Sequence, residues 1–312
     1  MPATSRIAIV GAGHVGATTA YALMLRGLIA EIVLIDQSID HAIAEATDIA
    51  DANAVARPVR IWGGDYTDVA DAGILVITAG ASTKDGEART AVAAKSAEIV
   101  RDCVRQAMNA GFDGIVVVAS NPADAMAQVA QQESGLPPER VIGTGTLLDS
   151  NRFRKRVADE LGIAPGAVEA QVLGEHGDSE VVAYSTVRIG GMELDAFLAG
   201  QSFDRAQIAH DVMRAGYTIS EGKGYTSFGV ASAIVRICEA VMRDERVALP
   251  VSTLLTGEYG IDGVYHSLPC LIGAGGIARV LTPMLRDQEE AALLASAEVL
   301  RETLRHAQGT DE

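Results

Sequence analysis

Cysteine is scarce in this chain: Cys103, Cys238 and Cys270 are odd in number, widely separated and set among apolar residues. That pattern excludes a disulfide framework or a cysteine-based metal site, and points to reduced core thiols in a reducing compartment. Positive charge is also short. With 25 Lys and Arg against 41 Asp and Glu, the net charge is −16, which repels nucleic acid and an anionic membrane surface at long range. The same field repels a carboxylate substrate, so an acid-binding site must owe its attraction to a few well-placed arginines. Also missing is any apolar run near the roughly 18 residues that span a bilayer, and the first residues lack the apolar core of a secretion signal. We therefore expect a cytoplasmic protein with no membrane, nucleic-acid or metal partner. Repeats, linkers and low-complexity segments are absent as well.

What is present is a large stock of core residues: 48% of the 312 positions are hydrophobic, enough for two domains. Up to about Gly145, apolar runs alternate with helical patterns. The runs are Ile7 to Val10, Ile32 to Ile35, Val59 to Trp62, Ile74 to Thr78, Ile115 to Ala119 and Val141 to Gly143. Near-continuous apolar strands are buried on both faces, as in a doubly wound parallel sheet with crossover helices. One helix, Ala88 to Asn109, sets Val92, Ile99, Val100, Cys103, Val104, Ala107 and Met108 on one face. From Asp149 the pattern changes to longer helices and alternating strands, with helices expected at Asn151 to Leu161, Asp204 to Ser220, Ser227 to Met242 and Asp287 to His306. The expected organisation is α/β: a Rossmann domain over residues 1–146, then a mixed α+β catalytic domain over residues 147–312.

The first strand runs into Gly11-Ala12-Gly13-His14-Val15-Gly16. Gly11 permits the tight turn, Gly13 lets the backbone approach a pyrophosphate, and Gly16 lets helix and strand pack closely. The helix N-terminus supplies free N–H groups and the positive end of a dipole. A glycine triplet alone is weak; its context strengthens it. The next strand ends in Asp36, 20 residues after Gly16, where a carboxylate binds ribose hydroxyls and repels a 2′-phosphate, favouring NAD over NADP. A second cluster, Gly273-Ala274-Gly275-Gly276, lies between two strand-like runs and reads as a hairpin turn.

Four further segments carry polar groups that a bland core excludes. The loop from Ala79 to Arg89 sits at the carboxyl edge of the sheet, where it can close over a ligand and bring Arg89 with it. Ser120-Asn121-Pro122 ends the fifth strand, Asp149 and Arg152 share a helix face, and His176 stands in Gly174-Glu175-His176-Gly177-Asp178-Ser179. Each residue has an ordinary alternative: a solvated helix start for Arg89, a turn for Asn121, an N-cap for Asp149, a surface ion pair for Arg152. Together with the nucleotide fingerprint they suit hydride transfer. His176 would take the hydroxyl proton, Asp149 would hold its tautomer and stabilise its cation, and Arg152 would fork onto a carboxylate.

On these motifs, together with Thr78-Ala79-Gly80-Ala81, Gly86-Glu87-Ala88-Arg89, Gly143-Thr144-Gly145-Thr146-Leu147-Leu148-Asp149 and Gly222-Lys223-Gly224-Tyr225-Thr226, the chain resembles the lactate and malate dehydrogenase superfamily, on its lactate dehydrogenase branch. The resemblance runs from Arg6 to about Glu302. It implies His176 as acid/base, Asp149 as its partner, Arg152 as carboxylate clamp, Arg89 as the loop arginine polarising the carbonyl and Asn121 as a further oxygen ligand. It places Val15, Gly80, Ala81, Ser120 and Thr144 along the NAD site, and implies an L-configured product and a homotetramer.

Four positions depart from the family pattern. Thr83 stands where lactate enzymes carry Gln and malate enzymes Arg, so malate's second carboxylate would enter a closed site without a cationic partner. Gly216 and Tyr225, next to Thr226, stand where lactate enzymes usually carry Ala. Both are similar to the L-2-hydroxyisocaproate dehydrogenases, which implies tolerance of bulkier 2-oxo acids, with neutral drift in an ordinary lactate enzyme as the alternative. Arg154 and Glu169 occupy the positions through which many bacterial relatives bind fructose 1,6-bisphosphate; Glu169 would meet phosphate with like charge, so no activation is expected. Malate dehydrogenase and a non-catalytic NAD sensor are the remaining alternatives. Retention of Arg89, Asp149, Arg152 and His176 weighs against the sensor.

Overall fold

The computed structural model describes residues 6–81 and 89–308. The first half alternates strand and helix: β1 (Arg6–Val10), α1 (His14–Arg26), β2 (Glu31–Ile35), α2 (Ile39–Ala52), β3 (Arg60–Gly63), β4 (Ile74–Ile77), α3 (Arg89–Asn109), β5 (Ile115–Val118), α4 (Ala123–Ser134) and β6 (Val141–Gly143). These strands pair in parallel in the order β3-β2-β1-β4-β5-β6. Strand order reverses between β1 and β4, which opens a crevice at their carboxyl ends where ligands of such sheets bind. Successive residues of β1 feed opposite faces: Ala8 and Val10 enter one core cluster, Ile7 and Ile9 the other. Each fully buried isoleucine contributes about 1.5–3 kcal/mol of transfer free energy. On α3, Val92, Val100, Cys103, Val104 and Ala107 are buried as expected, with Ile99 and Met108 packed alongside.

The second half contains α5 (Leu147–Leu161), β7 (Val168–Leu173), β8 (Val181–Ile189), β9 (Met192–Glu193), α6 (Leu194–Leu198), α7 (Arg205–Lys223), α8 (Phe228–Met242), β10 (Val247–Thr256), β11 (Asp262–Gly273), β12 (Gly276–Val280) and α9 (Asp287–Gln308). Strands β7, β8 and β9 form a small antiparallel sheet over a third core that includes Phe153, Val172, Leu194 and Val212. Strands β10 to β12 do something the sequence pattern did not announce. They extend the nucleotide-side sheet to nine strands, joined where Ser252 of β10 pairs antiparallel with Gly143 of β6. The second glycine cluster is the expected hairpin, with Gly273 opposite Gly276 between β11 and β12.

Helix α5 begins at Leu147, four residues before the start expected from the sequence. The ordinary alternative for Asp149, an N-cap, does not hold: it is the third helical residue and only 1% exposed. Its position in the first turn sets the carboxylate near the positive end of the helix. Thr146, at the cap, instead donates its hydroxyl to the Val172 carbonyl at 2.6 Å and so pins α5 to β7. No helix among the described residues is long and apolar enough to cross a membrane. Cys103, Cys238 and Cys270 are free and buried.

Candidate active site

At the crevice, Gly11 takes a φ of +101°, and a Cβ there would lie 2.6 Å from the Ala79 amide nitrogen. A Cβ at Gly16 would lie 1.9 Å from the Gly11 carbonyl oxygen, so both positions exclude any side chain. Gly13 is different. A Cβ there would meet nothing within 4 Å, and Gly13 caps α1 without a side-chain hydrogen bond. Gly13 thus borders open space at the start of a helix whose first amides lack intrahelical partners, the kind of end to which an anion binds. Asp36 accepts hydrogen bonds from the Ala12 amide at 2.9 Å and the Ser38 amide at 3.0 Å, which fixes its carboxylate beside the glycine loop. Ser120 is buried and donates to the Ala79 carbonyl at 2.6 Å, while the Ala81 amide donates to Ser96 at 3.2 Å. Gly80 is exposed at the start of this segment. These residues fit a dinucleotide: amides for a pyrophosphate, a carboxylate for ribose hydroxyls.

Beside them opens a cavity of about 900 Å³. Val15, Ala81, Asn121, Thr144, Asp149, Arg152, His176, Gly216 and Thr226 all line it. Thr83 lies outside the described residues, as does the side chain of Arg89, whose backbone opens α3. Tyr225 is not on the cavity wall; its ring stacks on His14.

The centre of the site is a three-residue constellation. His176 Nδ1 lies 2.5 Å from Asp149 Oδ2, and Arg152 donates to Asp149 Oδ1 at 2.7 Å. A carboxylate can only accept, so Nδ1 carries the proton and Nε2 is left for a ligand. The Asp149 charge raises the His176 pKa from 6.5 to about 9, overcoming the opposite effect of burial. Burial pushes the Asp149 carboxyl up, but the charges of His176 and Arg152 prevail and hold it below 3.8. At neutral pH the trio is therefore two cations about one carboxylate. Gly216 of α7 faces this group: a Cβ there would sit 3.7 Å from Arg152 Nη2, in ordinary contact.

Several participants carried no sequence signal. Asp124, in the first turn of α4 and 1% exposed, accepts from the His176 amide at 2.8 Å and from the Ser267 hydroxyl at 3.2 Å. Burial pushes its carboxyl up. The histidine loop is also bridged to β11 by paired hydrogen bonds between Gly174 and Ser267 at 3.0 and 3.1 Å. Beneath it, Ser296 of α9 accepts from the Glu175 amide at 2.9 Å and stands 3.2 Å from Nε2 of His266. Burial lowers the pKa of His266 to about 4, which keeps that imidazole neutral. Glu180 lines the cavity, and its Oε1 has no hydrogen-bond partner among the described residues. Burial, then the Asp149 charge, raises its pKa to about 8. Tyr217 of α7 closes another side, donating to Asp178 at 2.6 Å.

The glycine loop with Asp36 held beside it and the ion-paired histidine on the cavity wall are the chemistry-bearing features of the described residues, and comparisons with known proteins show which family the chain joins. The lactate/malate dehydrogenase NAD binding domain matches residues 5–143, and the lactate/malate dehydrogenase alpha/beta C-terminal domain matches residues 146–310. The chain belongs to the lactate/malate dehydrogenase family. The L-lactate dehydrogenase of Thermus aquaticus is 40% identical over 301 residues, covering 95% of this chain and 97% of that one. Among solved structures, the ligand-bound minor L-lactate dehydrogenase of Enterococcus mundtii superposes with a TM-score of 0.94 at 37% identity, covering 97% of this chain and 98% of that one. A lactate dehydrogenase from a Medee basin deep-sea metagenome library gives a TM-score of 0.95 at 38% identity, covering 98% and 99%. This lactate/malate dehydrogenase family member is an NAD-dependent oxidoreductase of the L-lactate dehydrogenase branch. Bound NAD supplies the hydride acceptor, and the Gly11 to Gly16 loop with Asp36 are the residues here that fit it.

Proposed function

We propose that the chain interconverts an L-2-hydroxy acid and its 2-oxo acid, pyruvate or a bulkier relative, through a proton exchanged at His176 Nε2. The observation that carries this reading is the His176, Asp149 and Arg152 constellation on the wall of one cavity beside the nucleotide crevice. In reduction, protonated His176 donates to the carbonyl oxygen of the 2-oxo acid; in oxidation, the neutral ring takes the hydroxyl proton. Asp149 holds the ring with Nε2 free and stabilises the imidazolium. Arg152 offers a guanidinium fork to the substrate carboxylate, the local attraction that a chain of net charge −16 must supply. Asn121, on the same wall, would donate to the substrate oxygen, and Arg89, the first residue of α3, would polarise it. Val15, Ala81 and Thr144 would line the nicotinamide side, with Ser120 and Gly80 shaping the strand ends behind them.

Gly216 favours a second reading of substrate range. The missing methyl beside Arg152 Nη2 leaves room next to the carboxylate clamp, as a bulkier 2-oxo acid requires. Thr83 and Thr226 are the other positions we assign to side-chain selection. We place the enzyme in the cytoplasm as a homotetramer, divided functionally near residue 146. Activation by fructose 1,6-bisphosphate is not expected, because Glu169 opposes phosphate and its charge faces Arg154.

The deciding experiment compares kcat/KM for pyruvate, oxaloacetate, 4-methyl-2-oxopentanoate and phenylpyruvate with NADH, for the natural chain and Gly216→Ala. A bulky-acid preference that falls about tenfold on adding the one methyl supports the broad reading. Pyruvate preference in both proteins would make Gly216 neutral and the enzyme a plain lactate dehydrogenase, and oxaloacetate preference would overturn the exclusion of malate.

A further inference from the structure

Tyr225, expected from the sequence to select substrate, occupies a different place. Its ring stacks on His14 with centroids 3.8 Å apart and planes 13° from parallel. On the same turn, Lys223 Nζ lies 4.1 Å from the centre of the Tyr225 ring and 4.0 Å from that of Phe228, and donates to the Ser227 hydroxyl at 3.1 Å. The α7 to α8 turn is therefore itself braced. His14 is the first residue of α1 and follows Gly13, where an added Cβ would meet nothing within 4 Å. The next residue on the turn, Thr226, lines the cavity. One short segment thus touches the nucleotide loop with one side chain and the substrate cavity with the next.

We propose that Tyr225 is a positioning residue for the cofactor: with His14 it forms an aromatic clasp that fixes the pyrophosphate loop against the α7 to α8 turn. The clasp rests on the NAD reading of the glycine loop. Two flat rings near van der Waals separation resist sliding and tilting of the residue that opens α1. Loop amides held in one arrangement lose less freedom when an anion binds. Because the tyrosine hydroxyl takes no part in the stack, phenylalanine should replace it.

The test is NADH binding to the full-length chain, followed by nucleotide fluorescence without substrate, for Tyr225→Ala, Tyr225→Phe, His14→Ala and the double alanine variant. We expect each single alanine variant to weaken NADH about fivefold, Tyr225→Phe to stay within about twofold, and the double variant to be no worse than the singles. The ratio of kcat/KM between pyruvate and 4-methyl-2-oxopentanoate should not change. Unaltered NADH affinity with a changed substrate ratio in Tyr225→Ala would overturn the clasp and return Tyr225 to substrate selection. Losses that multiply in the double variant would also overturn it, since the rings would then act separately. If Tyr225→Ala fails to fold, natural NADH affinity in His14→Ala has the same force. A natural chain that fails to bind NADH would overturn the cofactor reading, and the clasp with it.

Discussion

Replacing Asp149 with Asn tests the acid/base assignment most directly, because it removes a charge and little volume. The Asp149 charge raises the His176 pKa from 6.5 to about 9, a preference for the imidazolium of about 3 kcal/mol. Without it, burial disfavours the charged ring, and the more weakly acting Asp124 and Glu180 are left to oppose that. The alkaline limb of kcat/KM for 2-oxo acid reduction reports the free enzyme's essential acid. In the natural enzyme it should have its midpoint near 9, and in Asp149→Asn at or below the ordinary histidine value of about 6.5. At pH 8 the protonated fraction then falls about 30-fold, and kcat/KM with it, beyond any loss of ring orientation. The assay is NADH oxidation with pyruvate from pH 5 to 10. A midpoint that stays near 9 in the variant would refute the reasoning, because some other group would then set the limb. Fold stability follows the same linkage. The raised His176 pKa gives stability that is complete below about 6.5 and lost as pH rises through about 9. The depressed Asp149 pKa gives stability present above 3.8 and lost as pH falls through its lower folded value. Thermal melts should show the variant's deficit largest between those limits.

Two further substitutions probe the edges of the site. Glu180, its pKa raised to about 8 by burial, ionises as pH rises through that value and puts a negative charge on the wall of the cavity proposed to receive the substrate carboxylate. KM for pyruvate should rise about threefold between pH 7 and 9, and Glu180→Gln should flatten that rise; an identical slope in the variant would remove Glu180 from substrate binding. Asp36→Ser deletes the carboxylate that the Ala12 and Ser38 amides hold beside the glycine loop. KM for NADH should rise about tenfold while NADPH becomes usable, and unchanged discrimination between the two would place the ribose elsewhere.

The nucleotide half was legible because its signals are local. A buried parallel strand is an unbroken apolar run, and Gly16 and Asp36 meet the glycine loop within one βαβ unit, although the Ala79 backbone that closes on Gly11 comes from beyond it. The histidine constellation was legible as chemistry, since Asp149 and Arg152 sit three apart on α5 and His176 stands in a distinctive loop. The rest depends on contacts remote in the chain. Asp124 reads as an ordinary acid in a helix's first turn; its role appears only when the His176 loop, 52 residues later, lays its amide against it. The link from Ser296 to His266 and Glu175 joins a helix, a strand and a loop that no spacing rule connects. The place of the Tyr225 ring was hidden for a related reason. Its neighbour Thr226 does line the cavity, but on this turn consecutive side chains diverge, and the ring of Tyr225 ends on a helix more than 200 residues earlier in the sequence.

The nine-stranded sheet bears on how this protein could have been assembled. Because β10 hydrogen-bonds to β6, the cofactor half has no finished border of its own: cut after residue 146, it would expose the edge of β6, a template for adhesion between chains. The halves are therefore not interchangeable cassettes. A recombination that pairs this nucleotide half with a foreign catalytic half must also import three antiparallel strands, β10 to β12, whose register meets Gly143, so the two halves can be exchanged only as a matched pair.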